Sequence, residues 1–238
     1  MATFVQTNLG LFWGGYSLAS SFNAVGLTAS SSMQDDTVYG DTFVSSAAGL
    51  SSVALEGEGF WQSATDSALF SSLGTSDTVV TVMPQEQSIG SAALFTKLTT
   101  SEYNPIAGGT VGEMLSFRLS GESTNEKLHT GEVLVAPATY AATAASSANN
   151  LGAASSTQTI YSALHVYEVN SAGTLDCVIQ SDNSSGFSSP ENQITHTQFS
   201  AIGSEIKSLA GAVADTYWRC SFTISGSFDF TISLAIGR

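Results

Sequence analysis

Runs of alternating apolar and polar residues recur along the chain and predict a mainly β protein. The clearest runs span residues 217–224 and 227–236, and Ser225-Gly226-Ser227 between them has the composition of a tight hairpin turn. Residues 114–119 alternate in the same way, as a half-buried strand does. Regular short strands separated by turn residues favour a β-sandwich. Further strands are predicted at 23–33, 52–61, 78–83, 92–103, 133–143, 160–169 and 175–180.

One segment has the features of a helix instead. Thr65 or Asp66 can cap it, apolar residues lie between Leu69 and Leu73, and Gly74 supplies the C-terminal stop. The pattern predicts a single helix of about two to three turns. The predicted fold class is therefore a mainly β protein, a β-sandwich with one short helix.

Composition suggests a division of the chain into three parts. Residues 1–125 form the first predicted β-sandwich, and residues 159–238 form a second sandwich half. Between them, residues 126–158 begin at a charged seam and continue into an Ala/Ser/Asn-rich stretch, which predicts a linker or surface loop. The small-residue segments 39–50 and 202–213 are alike in composition. Either the two halves are a duplication, or two Gly/Ala/Ser-rich loops coincide by chance.

Residues 28–61 hold the most distinctive pattern. An extended polar segment leads into an acidic corner with Asp35, Asp36 and Asp41, and a loop of small residues follows. That loop has little to pack within one subunit, and connections of its length are often functional. The strand after it places Glu56 and Glu58 on one face, opposite its apolar side chains.

Charge is sparse and acidic, and this excludes one class of function. The 238 residues include 20 Asp and Glu against 6 Lys and Arg, a formal net charge of -14. Binding nucleic acid through counterion release needs clustered Lys and Arg, so the sequence argues against it. A hydrophobic content of 42% is enough for a real core.

Candidate catalytic groups are few. Glu56 and Glu58 are spaced as a glycosidase-like carboxylate pair, but acid–base catalysis needs environments that separate their pKa values, and the sequence indicates none. The preferred interpretation is that the two carboxylates are solvated, or that they line a lumen. Gly57 and Gly59 form a GxG spacing within a strand, without the helix that a nucleotide site requires. No catalytic residue, cofactor or metal is therefore predicted.

The remaining polar candidates have structural interpretations. His129, His165 and His196 lack ligand spacing and are expected to be structural histidines. Cys177 and Cys220 form no CxxC motif; buried free thiols are expected, with a disulfide as the alternative. Residues 182–186 fit an Asx-type turn better than a calcium loop. The N-terminus has no export signal and no segment has the length of a membrane span, so a soluble protein is expected.

In their order, these parts resemble the tail tube (major tail) proteins of long-tailed bacteriophages. The resemblance covers most of the chain and rests on pattern, not on one invariant motif. It is carried by DDTVYGDT, AAGLSSVALEGEGFW, the short helix, DTVVTVMP, GGTVGEMLSFRLSGES, and, in the second half, YSALHVYEVNSAGTLDCVIQSDNSSGFSSPENQITHTQFSAIGSE and GAVADTYWRCSFTISGSFDFTISLAIG.

The resemblance implies a structural virion protein that is not an enzyme. Such β-sandwiches close into rings, either of six chains or of three with pseudo-sixfold symmetry, and the rings stack into a tube through which viral DNA is ejected without specific binding. Other tail proteins would contact the tube ends; assembly would occur in the host cytoplasm, with no membrane partner. Asp35, Asp36, Asp41, Glu56 and Glu58 are candidates for an acidic lumen or its rim. By position, the family's inter-ring loop comprises Tyr39, Gly40, Asp41, Thr42, Phe43, Val44, Ser45, Ser46, Ala47, Ala48, Gly49 and Leu50.

Two alternatives have distinct signatures. A tail terminator or head decoration protein would form a single closed ring or a capsid-bound oligomer. A monomeric carbohydrate-binding or adhesin-like sandwich would present an exposed aromatic platform, for which Trp13, Trp61 and Trp218 are widely scattered in the sequence. An enzyme built on Glu56 and Glu58 ranks third.

Overall fold

A computed structural model describes residues 8–40 and 42–237. It is mainly β, with one short helix in this part of the chain, so the predicted fold class is confirmed. The helix is α1 (Ser63–Ser72). The strands are β1 (Gly10–Trp13), β2 (Tyr16–Ser17), β3 (Phe22–Asp35), β4 (Ser46–Phe60), β5 (Thr78–Met83), β6 (Ala92–Gly108), β7 (Ser116–Ser123), β8 (His129–Tyr140), β9 (Ala144–Ala145), β10 (Asn149–Asn150), β11 (Thr159–Asp182), β12 (Glu191–Thr195), β13 (Gly203–Ala210) and β14 (Tyr217–Gly237).

The chain forms two compact units, and their boundaries differ from the predicted 1–125, 126–158 and 159–238. The arm unit comprises Ser21–Asp77 and Lys97–Leu128, and the larger unit contains the remaining described residues. The predicted linker 126–158 contains β8, whose residues Val133, Leu134 and Val135 are buried in the larger unit. The first half of this segment therefore belongs to a core, and only its second half has the low-complexity composition of a loop.

The larger unit is an antiparallel sheet built around two long strands, β11 and β14. They pair from Thr159 opposite Gly237 to Asp182 opposite Tyr217, and β13 and β12 pair with the two halves of β11. On the other side of β14 the order is β8, β6, β5, β1 and β2. Alternating side chains of β14 fill the core, with Trp218, Phe228 and Phe230 fully buried.

The hairpin predicted at Ser225-Gly226-Ser227 is wrong. Residues 217–237 are a single strand that bends but does not reverse, with Gly226 at φ +115°. Opposite the bend, β11 shifts register between Ser171 and Thr174. Glycine tolerates this positive φ, so the turn signal marks a bulged bend in paired strands.

The arm unit is an antiparallel sheet in the order β3, β4, β7, β6, with α1 against one face. Leu55, Phe117 and Leu69 are buried between the sheet and the helix. Tyr103 Oη donates a 2.7 Å hydrogen bond to Asp66 Oδ1 on α1, which ties the helix to β6. At 10 residues, α1 is too short to cross a membrane, and no helix in the described residues meets the length and hydropathy needed.

The predicted N-cap is wrong, because α1 begins earlier than expected, whereas Gly74 follows the C-cap residue Leu73 with φ +73°, as the predicted stop requires. Gln62 occupies the N-cap position without a side-chain hydrogen bond. Thr65 lies inside the first turn, buried, with its hydroxyl 2.6 Å from the hydroxyl of Ser21. Its role is to join the helix to the start of β3.

The two small-residue segments 39–50 and 202–213 have different structures. The first, in its described part, runs through a hairpin turn into the exposed start of β4. The second contains β13, which pairs along its whole length with β11. Their similar composition therefore does not correspond to a shared local structure.

Candidate assembly surface: an exposed β-hairpin and an acidic sheet face

The distal part of the β3–β4 hairpin, residues 28–52, is termed the arm. Its strands pair up to Asp35 opposite Ser46, whereas the pairing of β4 with β7 starts only at Ala54. Every described residue of the arm is exposed, on both faces. At ~3.4 Å per residue, β3 extends roughly 25 Å past the paired sheet.

The turn at the arm tip is organised by Thr37. Its backbone N–H donates to Asp35 Oδ1 at 2.9 Å, and its hydroxyl accepts from the Ser45 N–H at 3.0 Å. Hydrogen bonding of Asp35 with the Thr37 side chain, and with the Thr37 backbone N–H, lowers the pKa of Asp35. The predicted loop 39–50 is shorter in the structure, since Ser46 onwards belongs to β4; Asp41 lies outside the described residues.

Large apolar side chains on the arm face solvent. Phe43 is 85% exposed and Leu50 88%. A two-stranded hairpin is marginally stable in water by itself, and it usually needs a third strand or a packing partner. The arm therefore has the properties of a segment that packs on another molecule. Its exposed apolar residues are Met33, Val38, Tyr39, Phe43, Val44 and Leu50.

Glu56 and Glu58 lie on the open face of the arm unit, opposite the face that α1 covers. The parity predicted for β4 holds, with Val53 and Leu55 buried on the other side. Neighbouring strands add Glu102 and Glu122 to the open face. Their positions in the sequence do not indicate this, because cross-strand pairing brings them there.

Arg118 is the one cation among the side chains that line the concave part of this face, beside Glu56, Glu58 and Glu102. Its Nε lies 3.3 Å from Glu58 Oε2. Both side chains are substantially exposed, so the pair contributes little stability, about 0–1 kcal/mol. The face therefore carries an excess of carboxylates.

The predicted acidic residues form two groups and not one site. Asp35 and Asp36 lie at the arm tip, whereas Glu56 pairs opposite Gly26 near the base of the hairpin. The separation along β3 is roughly 30 Å at ~3.4 Å per residue. Any role that the acids share must therefore depend on the field over an extended surface.

The larger unit holds a buried Ser–His–Glu arrangement that sequence spacing did not reveal. Ser162 Oγ lies 2.9 Å from His196 Nε2, and His196 Nδ1 lies 3.1 Å from Glu205 Oε2. Burial raises the pKa of Glu205, but hydrogen bonds from His196 and Thr197 outweigh it and lower the pKa to about 2. Ser162 is fully buried and His196 is 3% exposed, so the serine is out of reach of a substrate. The cluster ties β11 to the β12–β13 connection.

His165 is a structural histidine, as its sequence context predicted. Its Nε2 lies 2.8 Å from Thr81 Oγ1, and its Nδ1 lies 2.8 Å from the Gly14 carbonyl oxygen. Burial lowers its pKa to about 4, although the hydrogen bond to Gly14 opposes the shift. The ring is therefore neutral at pH 7 and joins the β1–β2 turn to β11.

The remaining candidates also have structural roles. Cys177 and Cys220 are buried free thiols; the hydrogen bond between them, and burial, raise the pKa of Cys177. Asp182 accepts a hydrogen bond from the Ser184 backbone N–H at 2.9 Å, as the predicted Asx-type turn requires, and another from the Ser189 N–H at 2.8 Å. Within residues 8–40 and 42–237, no cluster of three or more potential ligands is arranged to hold a metal.

Neither a protein-family model nor a curated protein matches the chain. Several solved structures resemble parts or all of it. A chain of the virion of a native gene transfer agent particle has 14% identity and a TM-score of 0.41, covering 51% of this chain and 94% of that chain. A chain of the tail of an empty gene transfer agent particle with C6 symmetry has 13% identity and a TM-score of 0.37, covering 45% and 80%.

The Dit protein of SPP1, described as a paradigm of the hub adsorption apparatus in phages that infect Gram-positive hosts, is similar over more of the chain. It has 10% identity and a TM-score of 0.39, and the match covers 98% of this chain and 100% of that one. Likenesses at this level do not assign the chain to a family.

Proposed function

We propose that the protein is a structural, non-enzymatic subunit of a phage tail tube, which assembles into stacked rings in the host cytoplasm and becomes part of the virion. Viral DNA would pass along the tube during ejection without specific binding, and other tail proteins would contact the tube ends. The observation that carries the proposal is the arm, because it extends from the sheet with both faces exposed. The order of sequence parts, which resembles the tail tube family, supports the same interpretation.

The arm fits a role in stacking because covering its apolar side chains with another subunit would lower the free energy of the assembly. Fully burying one side chain such as Phe43 or Leu50 is worth about 1.5–3 kcal/mol. The same side chains add nothing to the core of their own subunit, since all are exposed. We therefore assign ring stacking to residues 39–50, together with the paired strands that carry them.

The open sheet face is our candidate for the tube lumen. Its carboxylates, with the net charge of -14, would repel a phosphate backbone and let DNA slide. Subunits of like charge can still associate, since salt screens exposed charges beyond about 8 Å at physiological ionic strength. Glu56 and Glu58 belong to this face, and Asp35 and Asp36 would lie on a rim that the arms form.

Two rival functions fit the geometry less well. A hydrolase built on Ser162 would need an accessible nucleophile, and this hydroxyl is buried. A carbohydrate-binding module built on the three tryptophans would need them exposed in a platform, but Trp13 and Trp218 are buried and Trp61 is 40% exposed.

Negative-stain electron microscopy of the purified protein tests the proposal. We expect hollow rods, or stacks of rings, that grow longer as salt concentration rises and repulsion is screened. Single closed rings that never stack would favour a terminator-like role. A monodisperse monomer at high concentration would contradict the proposal.

The lumen assignment can be tested by thiol labelling, since both native cysteines are buried. A Glu102→Cys variant assembled into rods should react with a small maleimide but be protected from a maleimide carrying a bulky polymer. Exposed Ile202 of the larger unit provides the control, because an Ile202→Cys variant should react with both reagents if that surface is outside. Equal reaction of the Glu102→Cys rods with both reagents would remove the lumen assignment.

A further inference from the structure

We propose that the arm of one copy docks on an apolar surface at the opposite end of the arm unit of the next copy. This surface, termed the acceptor patch, comprises Phe60, Trp61, Ile106, Val111, Met114 and Leu115. The proposal rests on the proposed function, in that it names the partner surface through which copies stack.

Strand directions place the acceptor patch at the end away from the arm. Strand β4 leaves the arm, passes Ala54 opposite Glu122 of β7, and reaches Phe60 opposite Ser116. There the Trp61 N–H donates to the Leu115 carbonyl oxygen at 2.8 Å. The β6–β7 turn lies at this end as well, since Gly108 pairs opposite Ser116.

The β6–β7 turn presents its apolar side chains on a fixed backbone. The Glu113 N–H donates to the Thr110 carbonyl oxygen at 3.0 Å, and Glu113 Oε2 accepts from the Thr110 N–H at 3.2 Å. Between these residues Val111 is fully exposed, and Met114 beside them is 67% exposed. A turn held in this way loses little conformational freedom on docking.

Exposed apolar surface is divided between these two ends. Among the described residues, the large exposed hydrophobic side chains are six on the arm, six on the acceptor patch, and otherwise only Phe70, Leu73 and Ile202. The exposed fractions of the six side chains amount to about five whole residues on the arm and between three and four on the acceptor patch. At about 150–250 Å² for a large side chain, each surface is of the same order as the ~800 Å² per partner of a standard interface.

Their placement favours a second copy of this chain as the occupant. Two different surfaces at opposite ends of one unit make a heterologous contact, which repeats from copy to copy. A foreign partner on either surface would leave the other one uncovered. Acids lie near both surfaces, with Asp35 and Asp36 at the arm tip and Glu113 in the acceptor turn. These acids repel each other across the contact, so added salt, which screens the repulsion, should strengthen the apolar contact.

Mixing two complementary variants tests the pairing. The arm-less variant has residues 31–51 replaced by Asn-Gly, and the patch variant carries Val111→Asp with Met114→Asp. Each alone should fail to stack. Mixed in equal amounts, they should form particles of twice the mass of either alone by mass photometry, because one arm and one patch remain intact to make a single joint.

The outcomes separate this inference from the proposed function. Ile202→Asp, at an exposed site outside both surfaces, is the matched control and should form rods like the unmodified chain. Rods from the patch variant, or no joint in the mixture, would overturn the acceptor patch while leaving tube assembly standing. An unmodified chain that stays monomeric would overturn both.

Discussion

Replacing residues 31–51 by Asn-Gly should abolish rods and leave the folded subunit intact. Ser30 and Ser52 face each other across the hairpin, with their hydroxyl oxygens 3.0 Å apart, so an Asn-Gly pair can close the shortened strands as a type I′ turn. The described residues in this range are all exposed, and losing the range should change the free energy of unfolding by no more than about 0.5 kcal/mol.

The expected effect on assembly is much larger. Burying only three of the lost apolar side chains is worth roughly 4–9 kcal/mol before ordering costs are subtracted. Since each 1.4 kcal/mol changes an equilibrium about tenfold, the concentration needed for stacking should rise by several orders of magnitude. Sedimentation and electron microscopy at matched concentrations measure this change.

A matched control keeps the apolar side chains of the arm and changes only its polar ones. Ser30→Ala with Ser52→Ala removes the hydroxyl contact at the base of the arm, and this double variant should still form rods. Rods from the arm-less chain at the concentration used for the unmodified protein would show that stacking does not depend on the arm.

Local pattern predicted the individual strands well where one face is buried and the other is not. Strand β5 has the predicted bounds, 78–83, and β4 has the predicted parity, with Glu56 and Glu58 opposite Val53 and Leu55. The loop predicted at 39–50 was expected to have little to pack against within its own subunit; its described residues are exposed, although those from Ser46 onwards belong to β4. In each case the signal lies within a few consecutive residues.

Features set by long-range pairing were not predicted. The sequence at Ser225-Gly226-Ser227 has turn composition, but whether the strand bends or reverses depends on β11 pairing across it. Likewise Ser162 and His196 are 34 residues apart, and only the sheet brings them within hydrogen-bonding distance. The acceptor patch draws on three separate segments, so no single stretch of sequence signals it.

The GxG spacing in β4 has a structural explanation that leads to the second large prediction. Gly57 and Gly59 lie on the buried face, where the rings of Phe22 and Phe117 meet edge to face with centroids 5.0 Å apart. A Cβ atom at Gly59 would come within 2.9 Å of the Phe117 ring and collide with the Ser21 carbonyl oxygen. The two aromatic rings therefore occupy the space that side chains would take.

Gly59→Val should therefore destabilise the arm unit strongly. The Ser21 carbonyl oxygen accepts a 2.9 Å hydrogen bond from the Phe60 N–H, which fixes the start of β3 against β4, and a side chain at residue 59 would force these strands apart. Overpacking costs about 1–3 kcal/mol, and an unsatisfied buried carbonyl costs about 1–3 kcal/mol more. For a total near 3 kcal/mol, calorimetry should record a fall in Tm of roughly 6–12 °C.

Ala54→Val on the same strand provides the comparison, because residue 54 lies on the open face with Glu56 and Glu58. Adding the same valine there should shift stability by no more than about 0.5 kcal/mol. Rods of the Gly59→Val variant should also dissociate at lower temperature, since the arm is attached at this base. Equal melting temperatures for the two variants would mean that the base of the β3–β4 hairpin accommodates the valine without loss of stability. The close approach of Ser21 and Phe117 would then not explain the glycine at residue 59.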